Sequence, residues 1–251
     1  MQEFDLIRPD LVETIRENIV KIEERITNAA TQVGRDPREV KLVVVTKAQP
    51  AEVTQAAIRA GARILGENYP EQAVPKIEAL AGETNIEWHM IGHLQSRKAR
   101  LVAEHFHFLQ SLDSLKLAQK MDAILAETGK ELPVLLEFNL GGEESKHGWD
   151  ATQETTWETL FPEIEDVLAL PHLRVCGCMT MPPFADEAED SRVYFKQLHK
   201  LRDLLARRFT AIEWRELSMG TSGDFDVAVQ EGATYVRVGQ AILGPRPKTL
   251  G

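Results

Sequence analysis

Cysteine is nearly missing: Cys176 and Cys178 are the two thiols in a chain of 251 residues. Two thiols exclude a disulfide framework and a four-thiolate metal site, and a reducing cytoplasm is the expected setting. Any apolar run long enough to span a bilayer is missing too, and the opening MQEFDLIRPD has no basic segment followed by an apolar one. Basic residues are in deficit, 29 Lys and Arg against 39 Asp and Glu, for a formal net charge of -10. That balance argues against nucleic acid or a membrane as partner, while leaving room for a local basic pocket that binds an anion. No low-complexity linker or composition break divides the chain. With 43% hydrophobic residues a single domain over 1–251 is expected.

What is present is a repeating alternation. Leu11, Ile15, Ile19, Ile22, Ile26, Ala30 and Val33 form a helical stripe that Gly34 and Pro37 end. This predicts an N-terminal helix within 1–36. After it, short apolar runs predict strands at 42–46, 63–66, 87–91, 106–110, 134–139, 174–179, 214–218 and 234–238. Helical patterns fill the gaps, among them 51–60, 95–104 and 115–127. Asp186 followed by Glu189 reads as a helix start before the stripe Tyr194, Leu198, Leu201 and Leu205. Strands alternating with helices imply parallel pairing with right-handed crossovers. Eight such units over 41–244 fit an α/β fold of (β/α)₈ type with an added N-terminal helix. Element order alone does not separate this from a doubly wound open sheet.

In such barrels chemistry sits at the C-terminal ends of the strands. The first strand, LVVVT, runs into Lys47. A rim lysine can pack its stem and hold its ammonium in water. It can also be a partly buried amine that loses its proton and attacks a carbonyl. The seventh strand ends in LSMGTSGDF, where Ser218, Gly220, Thr221, Ser222 and Gly223 supply a curled backbone and hydroxyl donors before a helix. The eighth ends in VRVGQAILG, where Gly239 permits close backbone approach. Barrels that hold a phosphate often do so between these two loops. Arg237 lies inside the eighth strand and needs a partner for its charge: either a carboxylate such as Glu67 or an acceptor on a ligand. An amine, a phosphate cradle and a fixed guanidinium fit pyridoxal 5′-phosphate (PLP). A sugar-phosphate barrel enzyme is the rival reading.

The stretches VVVTKAQP, LGENYPEQAVPKI, EWHMIGHLQSRKAR, ESKHGW, LSMGTSGDF and VRVGQAILG, in this order from Lys41 to Gly244, resemble the pyridoxal phosphate homeostasis proteins. That family is a single-domain relative of the barrel half of alanine racemase, a fold type III PLP-binding arrangement. The resemblance implies that Lys47 holds PLP as an internal aldimine. It implies that Ser218, Thr221 and Ser222, with the backbone of Gly239 and Gln240, receive the phosphate. Arg237 would face the pyridine nitrogen, and Asn68 and Met90 would line the pocket. Gln240 departs from the small hydroxyl residue expected at its position. Gly223 replaces a small or acidic one, a change of little consequence.

The resulting reading is a cytoplasmic PLP carrier and buffer, with apo PLP-dependent enzymes as receiving partners and no residue assigned a catalytic role. A racemase-like enzyme with weak or specialised activity is the alternative. An arginine cannot accept the ring-nitrogen proton, so the electron sink is weakened, although alanine racemase is thought to use the same device. Two-sided racemisation needs a second base, which alanine racemase takes from a tyrosine of another domain; a chain ending at Gly251 leaves no room for one. Among Tyr69, Tyr194 and Tyr235, none is placed for the task. His89 and His93, and His105 and His107, lack a further ligand at metal spacing, so no metal is expected. Cys176 and Cys178 read as small apolar residues on one strand face. Lys146 stands in a glycine-flanked loop at the expected mouth, either as a solvated side chain or as a contact for incoming cofactor.

Overall fold

The valines of KLVVV make the first strand, β1 (Lys41–Val45), buried on both faces between a helix layer and the interior of a barrel. A computed structural model describes residues 9–143 and 146–245. Glu144 and Ser145, which open the ESKHGW motif, lie outside the described residues. In chain order the elements are α1 (Pro9–Gln32), β1, α2 (Ala51–Ala60), β2 (Ile64–Glu67), α3 (Pro70–Ala79), β3 (Glu87–Met90) and α4 (Ala99–His105). Then come β4 (Phe108–Leu112), α5 (Leu115–Ala126), β5 (Leu132–Asn139), the two-residue β6 (Trp149–Asp150) and α6 (Phe161–Leu168). The rest is β7 (Leu173–Met179), α7 (Arg192–Arg208), β8 (Glu216–Thr221), α8 (Phe225–Gln230), β9 (Tyr235–Val238) and α9 (Gln240–Leu243).

Every pairing is parallel. The order β4-β3-β2-β1-β9-β8-β7-β5 closes on itself because β4 also pairs with β5. This is the expected eight-stranded barrel, and closure rules out the open sheet. β6 hangs from the end of β5 as a short addition. Helix α1 buries the expected stripe, Ile15, Ile19, Ile22 and Ile26, against α2 and α8. It stops at Gln32, and Val33 is exposed beyond it.

Boundaries shift where local cues misled. The fourth strand runs over Phe108–Leu112 rather than 106–110, because α4 continues through His105. His107 therefore precedes the strand, and its Nδ1 accepts from the Trp88 backbone N–H at 3.0 Å. The predicted helix 95–104 begins as a 3₁₀ turn, and α4 proper starts at Ala99. Asp186 does not cap α7, which is entered through a 3₁₀ turn over Ala188–Ser191. Cys176 and Cys178 do not share a face. Opposite β5 the register steps from Val134↔Val175 to Leu135↔Gly177, so Cys176 is an extra residue and the alternation flips there. Cys178 joins the core between strands and helices, whereas Cys176 joins a small inner cluster with Phe108, Leu135 and Met179. Burial raises the pKa of both thiols and so disfavours the thiolate form.

Candidate functional site

Strand alternation decides which residues reach the barrel mouth. In β1, Val44 packs toward the helices, so Val45 turns inward and Thr46 outward, and Lys47 again comes to the inner side. The turn is completed by Ala48 in the left-handed region at φ 57°. Thr46 is tied down on the outer side. Its hydroxyl donates to Glu67 Oε1 at 2.7 Å, and Lys76 Nζ reaches from α3 to the same oxygen at 2.7 Å and to the Thr46 carbonyl at 3.0 Å. Glu67 is thus the partner of Lys76. The sequence left it as a partner for Arg237, but it ends β2 on the outer face, and Arg237 points inward.

Lys47, Asn68, Thr221, Ser222, Arg237, Gly239 and Gln240 line one open cleft of about 140 Å³, with Val45, Ile91 and Met181. Seven of the nine residues expected at the site are therefore brought together. Met90 is not. His89 points into the barrel, so its neighbour Met90 points out into the helix-side core, and Ile91 takes the place expected of it. Ser218 is also absent from the cleft wall. It faces inward but lies deeper, fully buried, where its hydroxyl accepts from Arg237 and donates to Gln110 Oε1 at 2.7 Å.

The two small-residue turns lie side by side. Gly220, at φ 90°, lets β8 bend over α8: a Cβ there would stand 2.5 Å from Ala228 Cβ and 2.9 Å from Phe225 Cα. Gly239 sits against the end of β1, where a Cβ would come within 3.1 Å of the Val45 carbonyl. The helix after the first turn begins at Phe225, with Asp224 at its N-cap position and no side-chain cap hydrogen bond. The Asp224 carboxylate instead accepts from the Thr221 backbone N–H at 2.6 Å and its hydroxyl at 3.1 Å. The Thr221 donors therefore close the turn in this conformation.

Beneath the cleft runs a polar chain that sequence spacing did not reveal. Arg237 donates to Ser218, Ser218 to Gln110, and the Gln110 amide to His89 Nδ1 at 2.8 Å. His89 Nε2 then lies 3.0 Å from Glu87 at the opposite end of the barrel. With Nδ1 accepting, His89 carries its proton on Nε2, and burial lowers its pKa and keeps it neutral. Arg237 also donates to the Thr180 carbonyl at 3.0 Å and touches Met181 Sδ. Burial lowers its pKa to about 10, opposed by Asp224 and Glu137, so it remains charged at neutral pH. Glu137 also faces inward, as its neighbours Leu136 and Phe138 pack toward the helices. Burial raises its pKa to about 7, Asp113 adds to the rise, and Arg237 and Lys146 oppose it.

A second cleft of about 340 Å³ adjoins the first through Met181 and Thr221, with Lys146 and Phe184 on its wall. Lys146 thus stands at the rim, 3.7 Å from Glu143. Tyr235 lies at the far end of the barrel, where its hydroxyl accepts from Lys41 at 3.1 Å.

The family model of the alanine racemase N-terminal domain matches residues 15–247. The chain is 40% identical over 234 residues to the pyridoxal phosphate homeostasis protein of Pseudomonas aeruginosa, covering 93% of this chain and 96% of that one. The chain belongs to the pyridoxal phosphate homeostasis protein family. Among solved structures it is similar to PipY of Synechococcus elongatus with PLP bound, at 31% identity and a TM-score of 0.79, over 92% of this chain and all of that one. It shares a fold with alanine racemase of Clostridium difficile, at 18% identity and a TM-score of 0.67, over 94% of this chain and 57% of that one. Among the described residues no helix is long and apolar enough to cross a membrane.

Proposed function

We propose that this chain binds PLP and serves in cytoplasmic PLP homeostasis as a carrier and buffer, passing the cofactor to apo PLP-dependent enzymes. The observation that carries the reading is the meeting of Lys47, Arg237 and the turns at Thr221 and Gly239 on one open cleft. The donor set fits the group. Lys47 would hold the aldehyde end. Ser222 and the backbone of Gly239 and Gln240 would take the phosphate, and Thr221 would join them by turning its hydroxyl away from Asp224. Arg237 would stand toward the ring nitrogen, fixed from below by Ser218. Asn68 Oδ1 is buried with no hydrogen-bond partner among the described residues, an acceptor suited to the ring hydroxyl. When bound, PLP supplies an aldehyde for an amine to capture and a ring that withdraws electrons. The protein's part is to keep the Lys47 turn in place through the Thr46, Glu67 and Lys76 bonds, and to keep a cation, not an acid, beside the ring nitrogen.

The absorption spectrum of the purified chain tests this. A PLP chromophore lost in Lys47→Ala, with no amino acid turned over, is the expected result. Absence of any chromophore would favour a sugar-phosphate barrel. Rapid turnover of an amino acid, lost in Lys47→Ala, would replace the carrier by an enzyme.

A further inference from the structure

The loops after β3, β4 and β5 each bring one metal-ligating side chain to the same part of the mouth. His93 follows β3, Asp113 follows β4 directly, and His147 stands in the loop after β5. One ligand atom from each lies within 4.8 Å of the other two. His93 Nδ1 is 2.8 Å from Asp113 Oδ2, and the two imidazoles stack with centroids 3.5 Å apart and planes 10° apart. Both rings are exposed, so burial of apolar surface does not account for their meeting. The aspartate is oriented from behind. Its Oδ1 accepts from the Ser114 hydroxyl at 3.0 Å, and Ser114 is itself held as the N-cap of α5. That leaves Oδ2 turned toward His93, as in ligating carboxylates whose other oxygen is fixed by an outer hydrogen bond.

We propose that His93, Asp113 and His147 form a site for one divalent transition-metal ion of the Zn²⁺ type, with solvent in the remaining position. Two imidazoles and a carboxylate are a common three-ligand set for Zn²⁺. The same set is poor for Mg²⁺ and Ca²⁺, which take oxygen donors. Metal–ligand bonds of about 2.0–2.2 Å require the three atoms to draw together and the two imidazoles to leave their stacked arrangement, a rotation that both rings can make into solvent because they are exposed. The ion would tie three loops across one side of the mouth and fix the backbone beside Lys146. None of the three ligands lines the cofactor cleft, so the proposal stands apart from the PLP reading.

Calorimetric titration of the full chain, stripped of metal with a chelator, with Zn²⁺ alone and then Mg²⁺ alone tests it. One equivalent of Zn²⁺ is expected, weakened tenfold or more in His93→Ala and in His147→Ala, unchanged in Lys47→Ala, and with no Mg²⁺ binding. Circular dichroism checks that the two exposed-histidine variants keep the fold. Failure of the wild-type chain to bind Zn²⁺ at micromolar concentration overturns the proposal. So does binding that survives both histidine substitutions, or binding lost in Lys47→Ala, which would move the ion to the cofactor cleft.

Discussion

Replacing Lys76 by methionine isolates the support under the Lys47 turn. Lys76 is 7% exposed and Glu67 1%, and their charged atoms are 2.7 Å apart. At an effective dielectric constant of about 20 the Coulomb attraction at that distance is roughly 6 kcal/mol. Each ion also loses several kcal/mol on leaving water, so the intact pair is near balance. The loss appears when one partner goes. Methionine keeps the stem of lysine but removes the cation and the donor to the Thr46 carbonyl. Glu67 then keeps only the Thr46 hydroxyl, since its Oε2 has no hydrogen-bond partner among the described residues. Removing one member of a buried pair typically costs about 3–5 kcal/mol. Guanidinium unfolding followed by tryptophan fluorescence should show a loss in that range, with unchanged slope. The double variant Glu67→Gln/Lys76→Met should recover more than half of it, because no charge is left uncompensated. Cofactor absorbance should fall in the single variant before global unfolding, as Thr46 and Lys47 share one turn. A loss below about 1 kcal/mol, or a double variant no better than the single, would refute the reasoning.

Glu137→Gln should alter the pH profile of stability. The folded chain holds the Glu137 proton up to about pH 7, against an ordinary value of 4.5, so that contribution is present at low pH and lost as pH rises between the two. The loss amounts to roughly 3 kcal/mol. The variant should therefore gain less than about 1 kcal/mol near pH 5 and roughly 2–3 near pH 8, and equal gains at both would contradict the assignment. Gly220→Ala, with its positive φ and a Cβ contact of 2.5 Å, should lower stability by more than about 2 kcal/mol. Gly223→Ala meets no atom within 4 Å and should stay within about 0.5 kcal/mol; thermal melts compare the two. Arg237→Glu, made with Glu137→Gln so that two carboxylates do not face each other, should shift the cofactor absorption by offering the ring nitrogen an acid. An unchanged spectrum would mean that Arg237 does not reach the ring.

The barrel and the main site residues were legible because they depend on local signals. Apolar runs between amphipathic helices fix parallel strands, and the (β/α)₈ arrangement puts Lys47, Thr221 and Gly239 at one mouth whatever the details. What was not legible depends on phase and depth. Met90 was expected at the cleft from the family resemblance; the inward position of His89, seen through its stacking on Phe108 at 4.9 Å, shows that Met90 must point outward. Ser218 has the right direction but the wrong height, and height follows from the register of β8 against β9. The flip at Cys176 needs a bulge that the run LRVCGCM does not reveal. Arg237 was recognised as needing a partner, yet its partners, Ser218 within β8 and the Thr180 carbonyl just after β7, come from two other parts of the barrel. His93, Asp113 and His147 converge only after three loops fold over one rim, so no spacing rule along the chain could find them.

The central claim is that Lys47 is the amine that captures the cofactor. Borohydride reduction of the PLP-loaded chain, followed by peptide mass mapping, tests it most directly. The expected product is one phosphopyridoxyl adduct, on Lys47. An adduct on Lys146 at the neighbouring rim, or label spread over surface lysines, would contradict the account.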